Sequence, residues 1–213
     1  PEPASTSFYD RSSPPGESFA GAGTVSADGD DLIVSNAFSG SVQVLDAATG
    51  DISQDVRSVV LPLNAVRHGD QLVAAQAGGG NVVDAADPET VVLADLALPL
   101  GLASDGTTLY VGDWVSGDIW AVDESGSRVL VSGLAQPEGL AVDGDRLLVV
   151  ETGKQQVTAV DLATGEMSAM ITGLDFSGVP PEGFLPFGAM SGVAVGPDGA
   201  IYVADMYRGI IQH

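Results

Sequence analysis

Cysteine is absent from this chain of 213 residues, and positive charge is scarce, with 7 Lys and Arg residues against 29 Asp and Glu. The absence of cysteine excludes disulfides, thiolate metal sites and cysteine nucleophiles. The formal net charge of −22 repels a phosphate backbone, so nucleic acid is not an expected partner. No apolar run approaches the roughly 20 residues of a membrane-spanning helix. An integral membrane protein is therefore not expected, whereas docking on a membrane complex stays open.

What the chain does contain is a short β-type run that occurs five times. The runs begin at Leu32, Leu72, Leu109, Leu147 and Ile201, with separations of 40, 37, 38 and 54 residues. A repeat of about 40 residues built from short strands is typical of propeller blades. Gly-containing turns separate segments of alternating polarity, and no segment has a sustained helical pattern. The sequence predicts an all-β fold, a β-propeller of four-stranded antiparallel blades.

The sequence constrains the number of blades and the ends of the domain less tightly than it constrains the repeat. The repeats predict five blades, of which the last stops at His213 without an outer strand. Residues 16–22 are placed to supply that strand and close the ring, since closure removes exposed sheet edges. The alternative is that the chain is part of a six-bladed ring. We expect an extended lead-in over residues 1–16 and a single propeller domain over residues 17–213.

Two blades carry a recognisable family pattern. Residues 137–143 followed by 147–151, and residues 191–199 followed by 201–205, resemble NHL-type repeats. The same pattern runs through the gluconolactonase (senescence-marker-protein) family and the streptogramin lyases. The resemblance covers residues 23–213 and is specific for the fold. Because the repeated residues are turn and strand residues, it says little about function.

The resemblance to the lactonases implies one alternative function, a metal-dependent lactonase or lyase. In that family, Asn and Asp side chains near the start of the inner strand hold a divalent cation. Glu138 is the acidic residue at this position here, and it is the catalytic candidate if the chain is an enzyme. Asp113, Glu151 and Asp205 would complete a cation site with calcium as the cofactor. Leu100 stands where the family pattern has Asn, and an alkyl group cannot bind a cation.

Each of these acidic residues also has a structural interpretation. Asp113, Glu151 and Asp205 end the second strands of their blades, as Asn36 and Gln76 do. A side-chain oxygen that recurs at one position of a repeat is typical of an acceptor for backbone N–H groups in the following turn. The structural interpretation of Glu138 is different: a solvated carboxylate at the tip of a loop, since acidic side chains are mostly exposed. On this interpretation the chain has no cofactor.

Two segments break the repeat and are candidates for a protein-binding surface. The insertion at residues 174–190 accounts for the separation of 54 residues, and it contains three prolines. Exposed aromatic side chains on a stiff loop often mark a contact surface. The second segment is residues 206–213, which together with residues 196–205 resembles a blade of bacterial exported dehydrogenase-like propellers that accompany cytochrome c domains. The candidate interaction residues in the two segments are Phe176, Phe184, Leu185, Phe187, Tyr207 and Arg208.

The preferred functional prediction is an extracytoplasmic β-propeller, periplasmic or secreted, that acts as a protein-interaction or accessory subunit of a larger assembly. The chain begins at Pro1 rather than Met, which is consistent with removal of a leader. The alternatives are the metal-dependent lactonase or lyase described above and an accessory of a cytochrome-linked electron-transfer system. The last alternative depends on the final blade alone.

Overall fold

The computed structural model describes residues 24–176, 191–205 and 210–212, and its strands form five antiparallel sheets. Blade 1 contains β1 (Thr24–Asp28), β2 (Asp31–Asn36), β3 (Ser41–Asp46) and β4 (Ile52–Val56). Blade 2 contains β5 (Pro62–His68), β6 (Gln71–Gln76), β7 (Asn81–Asp84) and β8 (Val91–Leu93). Blade 3 contains β9 (Pro99–Ser104), β10 (Leu109–Asp113), β11 (Asp118–Asp123) and β12 (Gly126–Val131).

Blade 4 contains β13 (Pro137–Asp143), β14 (Arg146–Glu151), β15 (Gln156–Asp161) and β16 (Met167–Thr172). A single turn of 3-10 helix, Thr152–Lys154, joins β14 to β15. In blade 5 the described strands are β17 (Gly192–Val195), β18 (Ile201–Asp205) and β19 (Ile210–Gln212). In the described part of the chain, no helix is long and apolar enough to cross a membrane.

Each blade is a meander in which consecutive strands are hydrogen-bonded neighbours. The predicted all-β propeller with five antiparallel blades is therefore confirmed. The predicted lead-in at residues 1–16 and the ring-closing segment at residues 16–22 lie outside the described residues. The predicted Gly-containing turns include the hairpin turns at Gly29, Gly69 and Gly144, which have φ of 62°, 55° and 63°. Glycine adopts this left-handed region at no steric cost.

The core consists of apolar layers between consecutive blades. Successive side chains of a strand point to opposite faces of its sheet, so the second strand of a blade serves two interfaces. In blade 4, Leu147 and Val149 pack against blade 3, whereas Leu148 and Val150 pack against blade 5. Equivalent layers join blade 1 to blade 2 and blade 2 to blade 3.

The antiparallel meander gives the propeller two faces, which differ in the connections they carry. The upper face is the end where the inner strands begin. It carries the turns at residues 37–40, 77–80, 114–117 and 152–155 and the interblade connections at 57–61, 94–98, 132–136 and 173–176. The lower face is the end where the inner strands finish. It carries the turns at residues 29–30, 47–51, 69–70, 85–90, 105–108, 124–125, 144–145, 162–166 and 196–200.

Candidate functional site

A cavity of about 780 Å³ lies along the axis, and the inner strands of all five blades line it. Its wall reaches the lower face at Gly29, Gly69 and Gly106. Polar side chains line it near the start of the inner strands, where the Thr24 hydroxyl donates to the Leu63 carbonyl oxygen at 3.0 Å. The hydroxyl of Ser26 donates to Asn64 Oδ1 at 3.3 Å in the same region.

The upper end of the inner strands is packed rather than open. Leu63 and Leu100 are buried with Leu98, and Ala37, Ala77 and Trp114 pack against these three leucines. Leu63, Leu100, Glu138 and Ser191 precede or begin the inner strands of their blades, and all four are buried. Leucine side chains at two of the four positions make this end of the axis apolar.

Glu138 is the most unusual polar residue at this end, with only 2% of its surface exposed. Its Oε1 accepts hydrogen bonds from Trp114 Nε1 at 3.3 Å and from the Thr152 hydroxyl at 3.1 Å. Its Oε2 accepts a bond from the Ser191 backbone N–H at 2.8 Å. The interpretation of Glu138 as a solvated acid is therefore wrong. The carboxylate instead links the turns of blades 3 and 4 to the start of the inner strand of blade 5.

Two opposing effects act on the pKa of Glu138. Burial is the larger effect and raises the pKa above its ordinary value, because a charged carboxylate loses hydration. The hydrogen bonds from Ser191, Thr152 and Trp114 oppose this shift, and burial prevails. Glu138 is therefore a carboxyl group that takes up a proton more readily in the folded chain than in water.

Glycine allows the inner strands of blades 3, 4 and 5 to approach one another closely on either side of Glu138. A Cβ atom added to Gly101 would lie 2.3 Å from the Glu138 carbonyl oxygen, and one added to Gly139 would lie 2.6 Å from the Ser191 carbonyl oxygen. Both distances are far below van der Waals contact, so any side chain at these positions would separate the strands. The close approach of the inner strands of blades 3, 4 and 5 therefore requires glycine at these two positions.

Asp113 uses its carboxylate to fix the local backbone. Its Oδ1 accepts the N–H groups of Val115 and Ser116 in the following turn, at 3.2 and 3.4 Å. It also accepts the N–H groups of Leu98, at 3.0 Å on Oδ1, and of Ala97, at 2.7 Å on Oδ2. Asn36 accepts two turn N–H groups in the same way in blade 1. The prediction of a backbone acceptor at the end of the second strand is confirmed for these two residues.

Glu151 occupies the same position in blade 4 and is more densely bonded. Lys154 Nζ lies 2.7 Å from Oε2, and the Ala135 backbone N–H donates to the same oxygen at 2.7 Å. The Thr158 hydroxyl and Gln156 Nε2 donate to Oε1. Burial alone would raise the pKa of Glu151, but the bonds from Lys154, Thr158, Ala135 and Gln156 outweigh it and lower the pKa.

These bonding patterns bear on the cation site that the resemblance to lactonases implies. The oxygens of Asp113, Glu138 and Glu151 face N–H and O–H donors, whose hydrogens occupy the directions from which a cation would approach. Among the residues that the structure describes, no three His, Asp or Glu side chains are grouped as they would be to hold a metal ion. The three described carboxylates therefore do not fit a shared calcium site. The side chain of Asp205 lies outside the described residues, so the four-residue site stays a prediction.

Phe176 is the one candidate interaction residue whose surroundings are described. The expectation of an exposed aromatic side chain is wrong for Phe176, which is 1% exposed. It packs with Leu174, Leu148 and Val203 in the apolar layer between blades 4 and 5. The other candidates, Phe184, Leu185, Phe187, Tyr207 and Arg208, lie outside the described residues.

An exposed apolar surface does occur on the upper face, at residues that the sequence analysis did not select. Phe38, Val60 and Val115 have exposed fractions of 72%, 59% and 58%. The turn at residues 37–40 lies against Val59, since a Cβ at Gly40 would be 2.8 Å from its carbonyl oxygen. Large apolar residues in turns that otherwise hold Gly and Ser are the signal that could have identified this surface. We call Phe38, Val60 and Val115, with the partly buried Trp114, the upper apolar surface.

The lower face has the opposite character. Its turns and the adjoining strand ends carry most of the acidic residues of the described chain: Asp28, Asp30, Asp31, Asp46, Asp51, Asp70, Asp84, Asp87, Glu89, Asp105, Asp123, Glu124, Asp143, Asp145, Asp161, Glu166 and Asp198. Arg67 pairs with Asp28 at 3.0 Å and Arg128 with Asp123 at 2.6 Å. The excess negative charge therefore surrounds the lower opening of the axial cavity.

No family model matches this chain, and no curated protein matches it. Solved structures do. One similar structure is a streptogramin B lyase, with a TM-score of 0.62 and 14% sequence identity over 90% of this chain and 64% of the lyase chain. Another is a chain of a nidogen/laminin complex, with a TM-score of 0.55 and 19% identity over 68% of this chain and 60% of that chain. At these identities the similarity shows a shared propeller fold and nothing finer.

Proposed function

We propose that this chain is an extracytoplasmic β-propeller that binds a partner protein as an accessory subunit of a larger assembly. The docking surface in this proposal is the upper apolar surface. The single observation that carries it is the exposure of Phe38, Val60 and Val115 on one face of a strongly acidic chain. Exposed apolar side chains grouped on one face are typical of protein contact sites.

The distribution of charge supports the same surface. The acidic lower face repels other acidic proteins, and long-range repulsion slows their approach. The described turns of the upper face that carry Phe38 and Val115 contain no ionisable side chain. A partner with an apolar patch can therefore approach the upper face at the lowest electrostatic cost. The nidogen/laminin complex is an example of a structure in the same fold that contains a protein complex.

The localisation is a separate part of the proposal. Its support is the resemblance of the final blade to exported propellers. Fractionation of the source cells with an antibody against the chain tests it. We expect the protein in the periplasmic or secreted fraction, and its recovery with cytoplasmic markers would contradict this part.

The docking surface is tested with a double variant, Phe38→Ser/Val115→Ser, and a matched control, Val91→Ser/Val129→Ser. The control residues are also exposed valines, but they lie on the outer strands β8 and β12. Each purified protein is immobilised, exposed to an extract of the source cells and analysed by quantitative mass spectrometry. We expect specific proteins to be retained by the wild type and the control and to be depleted at least tenfold on the upper-face variant. Equal retention by all three would contradict the proposal.

A metal-dependent lyase or lactonase is the second candidate. Two observations favour it: the fold shared with a streptogramin B lyase, and a buried carboxyl group with a raised pKa at Glu138. Calorimetric titration of the wild type and of Glu138→Gln with calcium tests this candidate. Binding by the wild type that is lost in the variant would favour the enzyme, and no binding by either would oppose it. The role beside a cytochrome stays a prediction that depends on residues 206–213.

A further inference from the structure

The wall of the axial cavity carries an ion pair between two neighbouring blades, formed by Asp28 of blade 1 and Arg67 of blade 2. Among the described residues that line the cavity, these two are the only ionisable ones. Arg67 Nε donates to Asp28 Oδ2 at 3.0 Å, and the Arg67 and Asp28 side chains are 29% and 28% exposed. Their opposite charges leave the described lining of the cavity without net charge.

Both members of this pair keep hydrogen-bonding capacity that no described residue uses. Asp28 Oδ1 accepts no hydrogen bond from a described residue, and the two terminal amino groups of Arg67 donate none to one. A carboxylate oxygen only accepts hydrogen bonds, whereas guanidinium N–H groups only donate them. The contact through Nε holds the two groups side by side. The wall of the cavity therefore presents an acceptor next to a set of donors.

The rest of the cavity combines polar backbone with apolar side chains. The inner strand lies at the edge of each described sheet and pairs with one neighbour, so its other edge has N–H and C=O groups that the sheet does not use. Val66 and Leu102 are among the apolar side chains of the lining. The volume of about 780 Å³ is within the range of roughly 300–1,000 Å³ for sites that bind small organic molecules.

Charge restricts which molecules the cavity favours. Acidic residues in the turns of the lower face, among them Asp70, Asp105 and Asp143, surround the lower opening and repel an anion. A cation is attracted to the opening, but it loses hydration on entry and meets no unpaired carboxylate in the described lining. A neutral molecule meets neither obstacle.

We propose that the lower half of the axial cavity binds a small neutral molecule with a primary amide group, which Asp28 and Arg67 hold. The amide N–H donates to Asp28 Oδ1, and the amide oxygen accepts from a terminal N–H of Arg67. The donor and acceptor of an amide are coplanar and fixed, so it loses less freedom on binding than an alcohol does. The apolar part of the ligand packs on Val66 and Leu102. This site is at the opposite face from the upper apolar surface and is independent of the partner protein proposed above.

The test compares four probes that share a phenyl ring: benzamide, benzoate, benzylamine and benzyl alcohol. Each probe is titrated into the full chain labelled with nitrogen-15, at near-physiological salt, and the backbone amide signals are followed by NMR. We expect benzamide to bind with a millimolar or lower Kd and to shift amide signals of the inner strands β1 and β5. The other three probes should bind at least fivefold more weakly.

A double variant tests the contribution of the ion pair. Asp28→Ala/Arg67→Ala removes both charges and leaves neither one unpaired. Asp123→Ala/Arg128→Ala is the matched control, because that pair also lies on the lower face, at 2.6 Å, but neither residue is in the described lining of the cavity. We expect the benzamide affinity to fall at least fivefold in the first variant and to be unchanged in the control. Circular dichroism confirms that each variant is folded.

Single variants test whether the two charges contact the probe. Asp28→Ala leaves the Arg67 guanidinium without its counter-ion, so the preferred probe should change from benzamide to benzoate. Arg67→Ala leaves the Asp28 carboxylate alone, so benzylamine should become the preferred probe. Wild-type protein that binds benzoate or benzyl alcohol as tightly as benzamide would overturn the proposal. A double variant with undiminished benzamide affinity would overturn it as well.

Discussion

Blades 1 and 4 are built from nearly the same sequence pattern, yet their side chains lie in different environments. Both blades have the turn Asp-x-Ala-Thr-Gly, at residues 46–50 and 161–165. In each turn the Asp accepts two backbone N–H groups at nearly the same distances, 3.0 and 2.7 Å for Asp46 and 3.1 and 2.7 Å for Asp161. The second strands differ, since Leu147 is buried and Leu32 is partly exposed. Local geometry follows the repeat, whereas burial depends on neighbouring blades.

The largest expected effect is the loss of folding stability when the side chain of Leu147 or Leu32 is truncated. We expect Leu147→Ala to lower the free energy of unfolding by about 2–5 kcal/mol, because it leaves a cavity in the layer between blades 3 and 4. Leu32→Ala should cost about 1 kcal/mol, because part of the Leu32 side chain is already in contact with water. Urea unfolding of the purified variants and the wild type measures both values. Equal losses would show that the two strands are buried alike and would remove the distinction between the blades.

The next effect concerns the two buried glutamates of blade 4, whose pKa values shift in opposite directions. We expect Glu138→Gln to lower the free energy of unfolding by about 1–3 kcal/mol at neutral pH. The amide nitrogen of the new glutamine would face one of the N–H or O–H donors that now bond to the carboxylate. Burial raises the pKa of Glu138, so protonation favours the folded chain. The stabilisation linked to its proton is complete below the unfolded pKa and is lost as pH rises through the folded pKa. The advantage of the wild type over Glu138→Gln should therefore grow on acidification.

Glu151→Gln should behave in the opposite way. The folded pKa of Glu151 is lowered, so its stabilisation is present above the unfolded pKa and is lost as pH falls through the folded pKa. We expect Glu151→Gln to lower the free energy of unfolding by about 1 kcal/mol at neutral pH, and we expect this loss to be smaller in acid. Asn36→Ala is the control from blade 1, because an amide does not titrate and its loss should not vary with pH. Urea unfolding at several pH values measures all three, and parallel pH profiles for the two glutamate variants would contradict the assignment.

The smallest effect tests whether local structure is the same in the two blades. The backbone N–H and hydroxyl of Thr49 lower the pKa of Asp46, and the hydroxyl and backbone N–H of Thr164 lower the pKa of Asp161. Thr49→Val and Thr164→Val remove only the hydroxyl. We expect each substitution to raise the pKa of its own Asp toward the ordinary value, and to a similar extent. Carboxyl titrations followed by NMR measure this, and a shift in one blade only would mean that these turns depend on their surroundings.

Some features of the fold were predictable because they are local. The Gly29 and Gly144 turns follow from glycine's tolerance of positive φ, and the strand pattern follows from alternation of polarity. Asn36 and Asp113 were recognisable as backbone acceptors, because an oxygen that recurs at one position of a repeat has a structural explanation. The periodicity also predicted the propeller, since a repeat of short strands buries its apolar faces only by stacking on its neighbours.

The candidate site was less predictable. Glu138 lies one residue into its inner strand, and the sequence around it does not reveal that Trp114, Thr152 and Ser191 enclose it. Phe176 looked like part of an exposed loop, although the layer between blades 4 and 5 buries it. Contacts between residues far apart in the chain decide both cases, and their partners come from other blades.

The sequence by itself determined the repeat, its turns, the alternation of its strands and the acidic balance of the chain. These depend on interactions within a few residues or on composition alone. Only the tertiary structure decided which equivalent side chains are buried, which carboxyl group gains a proton more readily, and which apolar residues stay exposed. Stacking removes water from one side of a blade only where another blade covers it, so similar patterns acquire different environments in blade 4, which lies between two described blades, and in blade 1, which packs against one.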